Sequence, residues 1–307
     1  MTPAETAEAR AAGYRLLAAL IAGPLTADLV AAAAIDPRLQ TDRPLDDLGA
    51  EHMAAFDQGS SPHAGVFLED EPSLGGPRAT ACADLWRRIG LPEERWTQAP
   101  DHLASHLSAL AWLCGAEADA HTDGVSTDGL TELQAEVLDA LLAWLPRQVV
   151  AVIGGWTGAL ASVIGELVVH HRLALGQPRT HDDLGDALDV TDPATGIGDI
   201  AAFLTAPHRC GFLLTRHALQ DVGRALELPA GFGPRRQRLG TMLRSAARFD
   251  RWEALLDALD ARVTQAGTAL EGAPWAALGL PPDPRLLRTR EVLRALQSAG
   301  GDLLGEG

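Results

Sequence analysis

The sequence predicts an all-α protein, and three observations carry that reading. Apolar residues recur at three- and four-residue spacing along most of the chain. No stretch of useful length alternates apolar with polar residues, and strand formers are sparse, with a single tyrosine. Apolar residues make up 47% of the 307, enough to fill one large core or two modest ones.

In chain order, residues 4–22 are the first expected helix, with Tyr14, Leu17, Leu20 and Ile21 in phase and Gly23-Pro24 to end it. An alanine-rich helix over 25–35 follows, then a proline-bearing polar link to 47. Residues 51–57, with Met53 and Phe56, suit a short helix before the loop 58–63. Beyond Val66 to Pro72 and the Gly75-Gly76-Pro77 turn, residues 79–89 carry Cys82, Leu85, Trp86 and Ile89 on one side and stop at Gly90.

The stretch from Gln98 to Leu113 reads as a helix start. Pro100 sets the entry, Asp101 is placed to cap free backbone N–H groups, and Leu103, Leu107, Leu110 and Cys114 share a face. Residues 116–127 are polar and read as a mobile loop. Asp128 then caps a long amphipathic helix striped by Leu130, Leu133, Val137, Leu138, Leu141, Leu142 and Leu145, which Pro146 ends or kinks. An apolar helix runs from 149 to about 175. The run 148–165 carries no charge, but Gly154, Gly155, Gly158 and Gly165 with Thr157 and Ser162 dilute it, so a buried core helix is expected rather than a membrane span.

The character changes after Gly176. The expected organisation is a helical core over 1–178, an acidic linker over 179–196 and a C-terminal helical extension over 197–307. In the extension, helices are expected over 197–204, 215–226 with Thr215 as cap, 235–247, and 286–296. Another starts at Asp250, with Glu253 at the capping-box offset and a stripe of Trp252, Leu255, Leu256, Leu259 and Val263.

Charge narrows the partners. Forty-one acidic and 25 basic residues leave a net charge of −16, which repels nucleic acid and anionic lipid and attracts cations. All 25 basic residues are arginine. The missing lysine excludes a phosphate-loop lysine, a kinase strand lysine and Schiff-base catalysis. Cys82, Cys114 and Cys210 stand singly, as reduced thiols do in a cytoplasmic protein. Met1 to Arg10 holds acidic residues and no apolar run, so no secretory signal is expected there.

The triplet Pro100-Asp101-His102 followed by Leu103 matches the most specific signature of the TorD/DmsD family of molybdoenzyme chaperones, which this sequence resembles over roughly residues 10–175. Glu51 with Phe56, then Val66-Phe67-Leu68 leading to Glu71, look like the family's earlier block. Trp86 stands at its aromatic position, Gly90-Leu91 follows, and Trp144-Leu145-Pro146 resembles the later motif. The chain departs from the family pattern at Pro72, His106 and Ala140.

The resemblance implies an all-α chaperone with no catalysis and no cofactor of its own. Its partners would be the apo form of a molybdopterin-dependent oxidoreductase and that enzyme's twin-arginine signal peptide, with no nucleic acid and no membrane insertion; homodimerisation is left open. Two adjacent arginines before an apolar run want carboxylates beside an apolar floor. Asp101, His102, His106, Glu69 and Glu71, with Phe67, Leu68, Trp86 and Leu103, are the expected peptide-binding residues. Two rivals stand beside this reading. His102 and His106 share a helix face, which with Asp101 suits a metal-dependent helical enzyme, although no HExxH glutamate accompanies them. The other is a helical scaffold whose extension does the binding.

Overall fold

The computed structural model describes residues 1–70, 75–96, 98–152, 154–178, 187–229, 231–272, 274–279 and 283–299. Among them all regular structure is helical, and the one bridged pair of extended residues is His63 with His102. The chain divides into two compact units, residues 1–68 with 72–181, and residues 69–71 with 182–307.

The first unit is built round α6 (Leu103–Asp123), whose first half is buried on almost every side. Helix α1 (Pro3–Ala22) lies along it. Ala7, Ala11, Tyr14, Leu17, Ala18 and Ile21 make the buried stripe of α1, and its small residues let the two backbones approach closely. Thr2 and Glu5 close a capping box at its start. Helix α2 (Ala27–Ala33) returns beside α1, and α3 (Leu45–His52) leads into a π-helical turn, Met53–Gly59, which the sequence pattern read as an ordinary helix. Helix α4 (Ala64–Leu68) packs on α5 (Pro77–Arg88). Helices α7 (Asp128–Leu142), α8 (Leu145–Ala151) and α9 (Gly155–Ala174) complete the unit, with α7 on α6 and α9 against α3 and α7.

Several boundaries differ from the sequence expectation. The polar stretch after Cys114 is not a loop up to 127: α6 continues to Asp123, because its alanines favour helix and Glu117 and Ala118 are buried, and it ends on Gly124 in the left-handed region. Asp128 is the first residue of α7 rather than its cap, an acidic charge at the positive end of the dipole. The helix expected from 149 to 175 is two, broken between Ala151 and Gly155. Gly155 has φ +65, and a Cβ there would meet the Glu51 carboxylate at 2.3 Å. That carboxylate accepts the Thr157 N–H and Oγ1–H, both at 2.9 Å, and so caps α9. No helix among the described residues is long and apolar enough to cross a membrane.

The second unit contains α10 (Ile197–Leu204), α11 (Pro207–Cys210), α12 (Arg216–Ala225), α13 (Arg235–Arg248), α14 (Trp252–Glu271) and α15 (Pro284–Ala299). Helix α13 packs on α10, α12 and α14, and α14 on α15. Phe203, Leu219, Leu239, Met242, Leu243, Leu255, Leu259 and Leu296 fill its core. Thr215 caps α12 as expected, its hydroxyl accepting the Ala218 N–H at 3.1 Å. Asp250 does not start α14: it is left-handed, with φ 55, and the helix begins at Trp252. Gly211 has φ +82, and a Cβ there would lie 2.9 Å from the Arg285 side chain and 3.0 Å from the Leu286 nitrogen, so only glycine lets α15 come this close.

Candidate functional site

The Pro-Asp-His triplet is a corner joining α6 to the chain 38 residues before it. Leu103 N–H donates to the Pro62 carbonyl at 2.8 Å, and Ala64 N–H to the Asp101 carbonyl at 2.9 Å. The Asp101 carboxylate takes the Gly65 N–H at 3.2 Å and lies 3.3 Å from His63 Nδ1. Asp101 therefore caps α4, not α6. His102 caps α6, its Nδ1 accepting the Ala104 N–H at 3.1 Å, because its own backbone is extended and the helix begins one residue later. Burial pushes the Asp101 carboxyl up, but the His63 and Gly65 hydrogen bonds outweigh it, and the net shift is downward.

The accepting Nδ1 fixes His102 as a neutral ring, and burial, then the neighbouring His63 and His106, pull its pKa down to about 3. His106 lies with Nδ1 3.1 Å from the His102 carbonyl, which only a protonated Nδ1 can use. Its Nε2 faces the Cys82 thiol at 3.8 Å. Burial lowers His106 to about 4 and raises Cys82 to about 12, so imidazole and thiol are both uncharged. Such a thiol is no nucleophile. The His106 ring meets Trp86 edge-on at 5.0 Å and Trp144 at 5.7 Å, and Phe67 stacks on Trp144 at 5.5 Å. Trp86 donates its N–H to the Pro100 carbonyl at 2.9 Å.

Six of the expected peptide-binding residues, Asp101, His102, His106, Phe67, Trp86 and Leu103, thus belong to one region of the first unit, and all six are buried. Leu68 is partly exposed on α4. Glu69 follows it, partly exposed and counted with the second unit, and Glu71 lies outside the described residues. The buried side chains hold α4 against the start of α6, leaving Val66 and Leu68 to face outward in part. Among the described residues no group of three or more His, Cys, Asp and Glu side chains is arranged to hold a metal ion.

Comparison with known proteins adds to this geometry. The family model described as nitrate reductase delta subunit matches residues 8–149. The selenate reductase assembly chaperone protein of Thauera selenatis is 31% identical over 183 residues, covering 55% of this chain and 91% of that one. The chain belongs to the TorD/DmsD family of molybdoenzyme chaperones. The chlorate reductase assembly chaperone protein of Ideonella dechloratans is 29% identical over 184 residues, 56% of this chain and 93% of the relative. No solved structure matches the chain at comparable significance. Both of these TorD/DmsD relatives are named as assembly chaperones.

Sequence reasoning missed a second polar feature of this TorD/DmsD protein. His171 is buried, although its neighbour His170 is exposed. Its Nε2 lies 2.8 Å from Gln134 Oε1 and its Nδ1 3.0 Å from the Tyr14 hydroxyl. The amide oxygen accepts, so Nε2 carries the proton and Tyr14 donates to Nδ1. Burial lowers His171 to about 3 and raises Tyr14 well above its usual value. The Gln134 amide donates to Glu117 at 2.9 Å, and Glu117 pairs with Arg10 through both oxygens at 2.9 and 3.0 Å. One chain of bonds therefore ties α1, α6, α7 and α9 together. Its signal was available: Glu117 follows Leu110 and Cys114 at seven and three residues, so a carboxylate sits in an apolar stripe.

Proposed function

We propose that the protein binds the twin-arginine leader of an apo molybdenum-containing reductase in the cytoplasm and holds that enzyme back from export until its cofactor is inserted. The observation that carries this reading is the latch of Asp101 on His63 and Gly65, which fixes α4 and presents its partly exposed apolar edge, Val66 and Leu68. Residues 1–178 hold 24 acidic and 10 basic residues, a field that draws a cationic leader in. The buried members of the corner act by positioning that edge. The names of the two relatives support a reductase as client class.

Calorimetry with a synthetic leader carrying two adjacent arginines and an apolar run tests the reading. Val66→Ser with Leu68→Ser is expected to weaken binding about tenfold, the loss of about 1.4 kcal/mol of apolar contact, with helical content unchanged. Asp101→Asn, which keeps the shape and removes the charge facing His63, is expected to weaken it several-fold. Equal affinity in both variants refutes the corner as leader site. A wild-type protein that ignores the leader refutes the function.

A further inference from the structure

We infer that the outer face of α13 is a docking surface for an acidic, apolar-bearing segment of a partner protein, separate from the leader corner of the first unit. The charge of the chain is segregated. Residues 205–251 carry nine arginines against three carboxylates, Asp221, Glu227 and Asp250, inside a chain of net charge −16. Helix α13 itself has five arginines and no acidic residue. Among the described residues Arg236, Arg244, Arg248 and Arg251 are exposed and form no ion pair. On α15, by contrast, Arg290 is paired with Asp260.

The arginines are not scattered. Leu239, Gly240, Met242, Leu243 and Ala246 turn inward, which sends Arg244 and Arg248, one turn apart, outward together. Arg235, Arg236 and Arg238 open the helix, where their charge opposes the dipole. No acidic residue of the first turn offsets them. Two of the six phenylalanines of the chain flank this face, Phe232 at 91% exposure and Phe249 at 59%. Arg238 holds the first of these loops to the helix through the Gly233 carbonyl at 3.0 Å, and the Arg248 guanidinium lies 5.6 Å from the Phe249 ring centre. Exposed aromatic rings with unpaired arginines are the side-chain types that protein interfaces concentrate.

Charge complementarity sets the occupant. A twin-arginine leader is repelled here, so this face takes a ligand of opposite sign. A long polyanion such as nucleic acid would feel the acidic remainder of the chain, whereas a short acidic segment meets the arginines alone. The exposed phenylalanines require that segment to bring apolar side chains.

The test uses the full chain and a fluorescein-labelled peptide, Glu-Glu-Leu-Glu-Glu-Phe-Glu-Glu-Leu, by anisotropy. Wild type is expected to bind it, with affinity falling as salt rises. Arg244→Glu with Arg248→Glu is expected to abolish binding while leader affinity in calorimetry stays unchanged. Phe232→Ser, at a nearly fully exposed position that cannot unfold the unit, is expected to weaken binding several-fold. No binding by wild type, or equal binding by both variants, overturns the proposal. Tighter binding of single-stranded oligothymidylate or of phosphatidylglycerol vesicles than of the peptide overturns the choice of a protein partner. Because the leader is measured separately, failure here is distinguishable from failure of the leader reading.

Discussion

The two units differ in how much polar material they bury among their apolar side chains. Among the described residues the first unit hides fourteen polar or charged side chains, among them His102, His106, His171, Asp101, Asp139 and Arg172, while the second hides Thr205 and Thr289. The first unit keeps electrostatics inside, where a hydrogen-bonded group tolerates only one arrangement of its neighbours. The second has an interior of almost pure hydrocarbon and puts its charge on the outside of α13. The stability of the first unit should therefore respond to protonation and to the loss of single polar partners, and that of the second to packing.

The most damaging break of this contrast is in α7. Arg172 of α9 is buried and bonds Asp139 at 2.7 and 3.2 Å, with the Gly176 and Gln177 carbonyls as further acceptors. Asp139→Ala leaves the guanidinium buried beside half of its acceptors, and urea unfolding is expected to show a loss of about 3–5 kcal/mol. Asp139→Ala combined with Arg172→Leu removes the stranded charge and should cost less than the single change. A double variant as unstable as the sum of its parts would mean that packing, not charge, holds these helices.

Acid sharpens the contrast next. His102, His106 and His171 sit near 3, 4 and 3, below the usual 6.5, all chiefly through burial. Below pH 6.5 the unfolded chain binds protons that the folded chain refuses, so stability falls as pH falls, down to about pH 4. Each histidine contributes up to about 1.4 kcal/mol per pH unit. Asp101 and Glu51, with lowered pKa, add their loss only below the ordinary carboxylate range. In the second unit His208 is also lowered by burial, but the Asp70 carboxylate opposes the shift. Segment-resolved hydrogen exchange, corrected for intrinsic rate, is expected to show protection lost between pH 6.5 and 4.5 mainly in the first unit. His171→Gln should flatten the slope by about one proton. An unchanged slope would show that His171 is not held neutral.

What the sequence made legible follows the range of the forces involved. Helices were readable because their periodicity is local, as in α10, which covers 197–204 as expected, and in the Thr215 cap three residues from its donor. The break near Gly154 was harder, because the Glu51 carboxylate that shapes it comes from 106 residues away. At the corner the residues were legible and their work was not: the Gly65 N–H that Asp101 caps lies 36 residues upstream, beyond any window of periodicity. Local reading gave Asp101 to the nearest helix. The burial of His171 was out of reach for the same reason, since Tyr14 and Gln134, 157 and 37 residues away, make it tolerable.

The smallest effects should be blind to the difference between the units. Thr2 caps α1 and Thr215 caps α12, each through a hydroxyl that accepts a backbone N–H three residues on, at 3.2 and 3.1 Å. Alanine at either is expected to cost about 1 kcal/mol. These bonds lie at exposed or half-exposed helix starts and involve no histidine, so Thr215→Ala should cost the same at pH 5 as at pH 7. Thr2→Ala is the sharper case. Its bonds to Glu5 involve no histidine, so its cost should also hold, although the helix it starts carries Tyr14 and Arg10 into the acid-sensitive network. If its cost grows in acid while that of Thr215→Ala does not, the cap and the buried histidine are coupled through α1, and the interior of the first unit reaches further toward its surface than the hydrogen bonds alone imply.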